Sequence, residues 1–351
     1  MTDFTNPPPL EPGDNIAVIA PASGGARVAP HVFELGLQRL REAFDLNPVI
    51  YPTARQSDSF LGENPRARAA DIHAAFKDDE IRGIIATIGG SDQLRVLSHL
   101  DPDILRANPT RFFGMSDNTN LGLYLWNLGI ISYNGAQLMN ELAVPGELPA
   151  YTERYCRRAF FEQSLGELQA AERWSDDPST WWQNPEELNS PLAYESNPGW
   201  RWDGSKTPAS GHLWGGTVSI LEWQLATNRY LPEPERLDTA ILCLETSEEI
   251  PAPETVGRTL MCLGERGFLD RFAGVVVGRP PTRSFLEEPP QDERQQYREQ
   301  LYETIVAEVS RYNSDIPLVL GLDWGHTTPI APLPLGAEMT ISPAEERITV
   351  N

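Results

Sequence analysis

The stretch "IRGIIATIGGSDQLRVLSHLDPDILRANPTRFFGMSDNTNLGLYLWNLG", residues 81–129, decides how the chain is read. A β-rich apolar run stops at Gly89-Gly90, the helix-patterned "SDQLRVLSHL" follows, and a second short strand, "TRFFGMS", ends at Ser116. Beyond Asp117-Asn118 the Leu and aromatic residues recur at helical spacing. Strands alternating with helices of this length imply βαβ units and a parallel sheet. In such sheets ligands meet the carboxyl ends of the strands, which is where Gly89-Gly90 and Ser116 fall.

The alternation continues toward the N-terminus. "NIAVIAPASGG" (15–25) is a buried strand stopped by Pro21 and glycines, "VAPHVFELGLQRLREAF" is helical, "NPVIYP" is a strand and "NPRARAADIHAAFKD" is helical again. From about residue 165 the texture changes to Trp, Pro, Asn and Gly in "ERWSDDPSTWWQNPEELNSPLAYESNPGWRWDG", too aromatic for a flexible linker and too irregular for a helix. Later segments, among them "GHLWGGTVSILEWQLAT", "TAILCLETSE", "AGVVVGRP", "IPLVLGLDWG" and "EMTISPAEERITV", predict a strand-richer region ending in a hairpin. The expected division is an α/β domain over 1–165, a Trp-rich loop over 166–205 and a β-rich domain over 206–351.

With 351 residues the chain can bury a sizeable core. Fifty Asp and Glu stand against 28 Lys and Arg, a net charge of -22, so the average field repels nucleic acid and anionic membranes. No run of about 18 apolar residues occurs, and the first residues lack a secretory pattern. A cytoplasmic protein is expected. Cys156, Cys243 and Cys262 are too few and too scattered for a disulfide framework, and the five histidines form no pair at metal-ligand spacing, so no metal is expected.

A Gly-x-Ser turn between strand and helix can present a nucleophile, with the next residue offering its N–H to an oxyanion. Here Gly114-Met115-Ser116 has that form, although the second position after the serine is Asn118 instead of glycine. Asparagine tolerates the left-handed backbone of a tight elbow. The plain alternative is an ordinary Ser/Asp/Asn helix cap. A serine nucleophile needs a base and a carboxylate to orient it. Glu245 ends the apolar run "AILCLE", and His326 lies in "GLDWGHTTP", just beyond another buried strand. Gly89-Gly90 lacks the G-x-G-x-x-G spacing of a dinucleotide loop. An N–H at Gly90, together with that of Asp117, would instead suit an oxyanion hole, the alternative being a turn in which Ser91 or Asp92 caps a helix.

The blocks "GDNIAVIAPAS", "IIATIGGSD", "FFGMSDNT", "GHLWGGTVSIL", "ILCLETSEE" and "GHTTPIAPLPLGAE", in this order along nearly the whole chain, resemble the LD-carboxypeptidase family of serine peptidases, which includes the microcin C self-immunity type. The resemblance implies a catalytic triad at Ser116, Glu245 and His326 and oxyanion donors at Gly90 and Asp117. It further implies a Rossmann-like N-terminal domain with a β-rich C-terminal one, commonly a homodimer, and no cofactor. The loop bearing Trp174, Trp181, Trp182, Trp200 and Trp202 looks like the immunity type, in which aromatics stack on a nucleoside. Trp181 and Trp182 are therefore the expected substrate contacts, and a peptidyl or aminoacyl-nucleotide conjugate the expected substrate. The competing readings are hydrolysis of muropeptide tetrapeptides, with the tryptophans merely anchoring the loop, and a noncatalytic small-ligand-binding protein on the same plan.

Overall fold

The computed structural model describes residues 4–177, 181–284 and 288–351; residues 178–180 of the tryptophan-rich stretch lie outside them. The strands are, in chain order, β1 (Asn15–Ile19), β2 (Asn47–Ile50), β3 (Ile81–Ala86), β4 (Arg111–Phe113), β5 (Ser132–Asn134), β6 (Gly166–Leu168), β7 (Arg173–Trp174) and β8 (Glu195–Ser196). They continue with β9 (Arg201–Gly204), β10 (Ala209–Thr217), β11 (Ile241–Glu245), β12 (Gly274–Gly278), β13 (Pro317–Leu322), β14 (Leu333–Leu335), β15 (Glu338–Ser342) and β16 (Arg347–Val350). The fold is α/β, as the sequence predicts.

The first sheet runs β14-β5-β4-β3-β1-β2, with β2, β1, β3, β4 and β5 parallel. The order reverses between β1 and β3, so the connections leaving these two strands turn to opposite faces and a crevice opens at their carboxyl ends. "NIAVI" and "IRGIIA" pack their apolar side chains on both faces, as strands covered by helices on each side must.

The second sheet, β6-β16-β15-β10-β11-β12-β13-β9, is mixed. Its centre, β10 to β13, is parallel, and "ILCLE", "GVVVG" and "PLVLGL" are buried throughout. Helices Val218–Thr227, Pro253–Glu265 and Gln291–Tyr312 connect these strands, so the C-terminal region is itself α/β at its core. Only the flanks alternate: β15 and β16 form the expected terminal hairpin. The chain also crosses between sheets. β14 returns to pair antiparallel with β5, while β6 and β9 both join the second sheet. This exchange sets the carboxyl ends of β3 and β4 against those of β10, β11 and β13.

Among the described residues no helix is long and apolar enough to cross a membrane. Cys156 and Cys243 are buried free thiols and Cys262 is exposed.

Candidate active site

Ser116 follows β4 at φ +60°, the left-handed region that a serine enters only when its surroundings impose it. What imposes it is visible on each side. Asn118 donates its side-chain amide to the Ile88 and Met115 carbonyls, and Gln137 donates to the same Met115 carbonyl at 2.7 Å. Gly89 lies so close that a Cβ there would sit 2.7 Å from the Ser116 Cβ and 2.8 Å from its Oγ. Asn118 itself is right-handed, with φ at -67°. The strained residue is thus the serine, and the asparagine serves as its brace instead of taking the left-handed position.

Asp117 is buried, and its carboxylate caps the short helix Leu94–Leu97 from outside. Its Oδ2 accepts the N–H groups of Asp92 and Gln93, each at 2.9 Å, and its Oδ1 accepts from Asn120. Burial raises the Asp117 pKa, with these hydrogen bonds opposing it. Asp92 is held by the buried Arg68 in a two-pronged pair at 2.6 and 3.0 Å, and the N-cap position of Leu94–Leu97 is Gln93, without a side-chain cap of its own. Among the described residues the backbone N–H groups of Gly90 and Asp117 have no hydrogen-bond acceptor.

On the facing sheet, Glu245 ends β11 with no exposure to solvent. Its Oε2 meets Nδ1 of His326 at 2.5 Å, and its Oε1 accepts the Thr217 hydroxyl. Thr217 ends β10 directly beside Glu245 in the ladder, and its hydroxyl also lies 3.4 Å from the Ser116 carbonyl. Gly325, at φ +98°, packs on the carboxylate so tightly that a Cβ would approach Glu245 Cβ to 2.9 Å. Burial acts against the charge on His326, but Glu245 above all, then Glu248 and Glu141, outweigh it and raise the imidazole pKa to about 9. On its other nitrogen, Nε2 of His326 faces Glu248 Oε2 at 3.3 Å. No hydrogen bond joins Ser116 to His326 among the described residues.

Ser116, His326, Gly89, Gly90, Trp181 and Trp182 all line one cleft of about 540 Å³, a size suited to a small ligand. Glu141 lines it too, its carboxylate accepting the Gln137 N–H at 2.5 Å, and burial pushes its pKa up to about 7. The tryptophan-rich segment is fastened beside it. Ser175 and Thr328 exchange backbone hydrogen bonds at 2.6 and 2.8 Å. Asp176 accepts from Thr282 and Arg283.

The five tryptophans divide. Trp174 is buried against the guanidinium groups of Arg279 and Arg298, and Trp200 donates to Asp323 and packs on Trp202. Those three hold the segment in place. Trp181 is only 7% exposed and its carbonyl is bonded to His31, whereas Trp182 is half-buried at the cleft. Sequence reasoning missed Thr217, Gln137, Glu141 and Glu248. Only Glu248, in "LETSEE" three residues after Glu245, stood near enough to a proposed site residue to be noticed.

An α/β chain with a serine at such a turn, sharing a cleft with a carboxylate-held imidazole, falls in the class of serine hydrolases. The chain belongs to the LD-carboxypeptidase family of serine peptidases, matching the LD-carboxypeptidase N-terminal domain over residues 16–135 and the C-terminal domain over 210–341. It is 26% identical over 353 residues to the microcin C7 self-immunity protein MccF of Escherichia coli, covering 97% of this chain and 94% of that protein. With a Bacillus subtilis protein named "Probable murein peptide carboxypeptidase" it shares 27% over 348 residues, 98% and 93% of the two chains. The crystal structure of an MccF-like protein from Streptococcus pneumoniae in complex with AMP superposes with a TM-score of 0.85 at 28% identity, covering 96% of this chain and 98% of that one.

Proposed function

We propose that Ser116, His326 and Glu245 form the catalytic triad of a carboxypeptidase that cleaves an amide bond in an aminoacyl-nucleotide conjugate. The observation that carries this reading is the buried Glu245–His326 pair, opening onto the same cleft as a serine held at φ +60°. In the reaction His326 Nε2 takes the Ser116 proton as Oγ attacks the carbonyl. Glu245 keeps Nδ1 oriented and stabilises the imidazolium, which then protonates the leaving amine. The free N–H groups of Gly90 and Asp117 receive the oxyanion. Water releases the acyl group by the same steps. No cofactor enters.

The relative solved with AMP and the half-buried face of Trp182 support a nucleotide in the substrate. Trp181, nearly buried, borders the same cleft beside Trp182. A muropeptide tetrapeptide is the second reading, supported by the similarity to the Bacillus subtilis protein. The division into 1–165, 166–205 and 206–351, a homodimer and a cytoplasmic setting belong to the same proposal, resting on the family likeness.

The test is hydrolysis of an aminoacyl sulfamoyl adenosine against a muropeptide tetrapeptide, with Ser116→Ala as the blank. The parent should prefer the adenosine conjugate, and the variant should lose at least about 10³-fold in kcat. An alanine variant retaining a tenth of the parent rate overturns the assignment of Ser116. A parent that prefers the tetrapeptide overturns the substrate.

A further inference from the structure

The triad needs His326 Nε2 turned to Ser116, yet that nitrogen faces Glu248 Oε2 at 3.3 Å. Glu248 lies in the turn after β11, with its side chain 57% exposed at the cleft and no other charged partner among the described residues. An imidazolium held between Glu245 on Nδ1 and Glu248 on Nε2 has both of its donors spent. For catalysis, His326 Nε2 must leave Glu248, and the carboxylate then passes to water, to a cation or to another hydrogen-bond donor.

The surroundings say which. Asp58, Glu141, Asp176, Asp177, Glu248 and Glu249 all line the cleft. The one arginine among the described lining residues, Arg283, is already paired with Asp176 and Glu288. The cleft therefore carries an excess of negative charge that a substrate must meet.

We infer that Glu248 is a positioning and specificity residue. It caps Nε2 of His326 in the free enzyme and releases it to Ser116 when a substrate ammonium takes over the Glu248 carboxylate. This deepens the proposed hydrolysis and rests on it, naming the substrate class as amides that carry a free amine near the scissile bond. Proton balance is simple: the ammonium replaces the imidazolium as partner of Glu248, His326 gives up the Nε2 proton to solvent as substrate settles, and neutral Nε2 then accepts the Ser116 proton.

The groups facing the imidazole are Glu245 at the end of β11, Glu248 in the turn after it, and Glu141 in the segment after β5. All three favour the charged ring, and removing Glu248 alone should lower its pKa.

Two measurements test this. The first needs no substrate: the His326 ring is titrated by imidazole NMR in the parent, Glu248→Gln and Glu249→Gln. Glu248→Gln should raise the neutral fraction of His326 at a fixed pH near neutrality by about threefold or more, and Glu249→Gln by clearly less. Equal shifts in the two variants, or none in Glu248→Gln, overturn the Nε2 contact. The second compares kcat/KM for an aminoacyl sulfamoyl adenosine with a free α-amine and for its N-acetyl form. The parent should prefer the amine by about tenfold or more, and Glu248→Gln should lose that preference while its acid limb moves to lower pH. A preference unchanged by the substitution overturns the specificity role. If the parent cleaves neither compound, the aminoacyl-nucleotide reading fails, and the NMR titration still decides whether Glu248 caps the ring.

Discussion

The two walls of the cleft position their chemistry by different means. On the first sheet, Ser116 is placed by backbone and shape: a left-handed residue, a glycine too close for any side chain, and neutral amides from Asn118 and Gln137. On the second sheet, His326 is placed by charge: a buried carboxylate on one nitrogen, an exposed one on the other, and a threonine hydroxyl holding Glu245. The proposed nucleophile needs a fixed angle of approach, which steric crowding supplies at little electrostatic cost. The proposed base needs a tuned proton affinity, which only neighbouring charges and burial supply. Damage to the first wall should thus appear as lost geometry, and damage to the second as a changed pH response.

The sharpest break of the charged wall is Glu245→Gln. It preserves shape but leaves His326 without its orienting charge, and should lower kcat by about 10³- to 10⁴-fold with little change in KM. Steady-state kinetics check it. A loss under tenfold would show that Glu245 does not orient the base.

Titration of the same wall comes next. A histidine free of neighbours would place the acid limb of kcat/KM near pH 6 to 7. With the His326 pKa at about 9, kcat/KM should instead climb about fiftyfold between pH 7 and 9. Stability should run the opposite way. The folded pKa exceeds the unfolded value of 6.5, so the contribution of charged His326 is complete below about 6.5 and is lost as pH rises through about 9. Thermal melts across that window should show a decline that His326→Gln flattens. A flat rate profile above pH 7 would contradict the charge around the ring.

Gly89→Ala probes the steric wall. Its backbone is outside the left-handed region, so the added methyl acts only through the 2.7 Å approach to Ser116 Cβ. The loss of kcat should be about tenfold to a hundredfold, with the acid limb at its parent position, because the charges are untouched. A shift of the limb in this variant would mean that the two walls are not separable.

The smallest effects belong to the tryptophans. Trp182→Ala should raise KM for an adenosine conjugate by about tenfold at nearly constant kcat, the loss expected of one stacked base. Trp181→Ala should instead destabilise the fold by about 3 to 5 kcal/mol, because that ring is core. Kinetics with a parallel melt separate the two, and an unchanged KM in Trp182→Ala would remove it from the substrate site.

Much of this site was legible before the fold. Ser116, Glu245 and His326 each end or follow an apolar strand, and the turns "FFGMSDNT", "LCLETSEE" and "DWGHTTP" mark those ends in the sequence. The α/β alternation around them follows from side-chain period and from turn-forming Gly, Pro and Asn, which act over a few residues. The C-terminal region carries the second, eight-stranded sheet as expected, and its central strands are parallel. Buried runs such as "GVVVG" read as strands whether their neighbours are parallel or antiparallel, and the helices between β10 and β13 decide the matter.

What only the tertiary structure decided is whatever depends on partners far along the chain. The Glu245–His326 pair spans 81 residues, and Thr217 lies 101 residues from Ser116. The return of β14 to the first sheet, the burial that divides Trp181 from Trp182, and the Glu248 carboxylate on His326 Nε2 are equally non-local. Sequence alone determined which residues stand at strand ends, because strand and turn are written in neighbouring side chains. It could not determine their proton affinities or exposure, because these come from the solvent removed and the charges brought near when distant segments pack together.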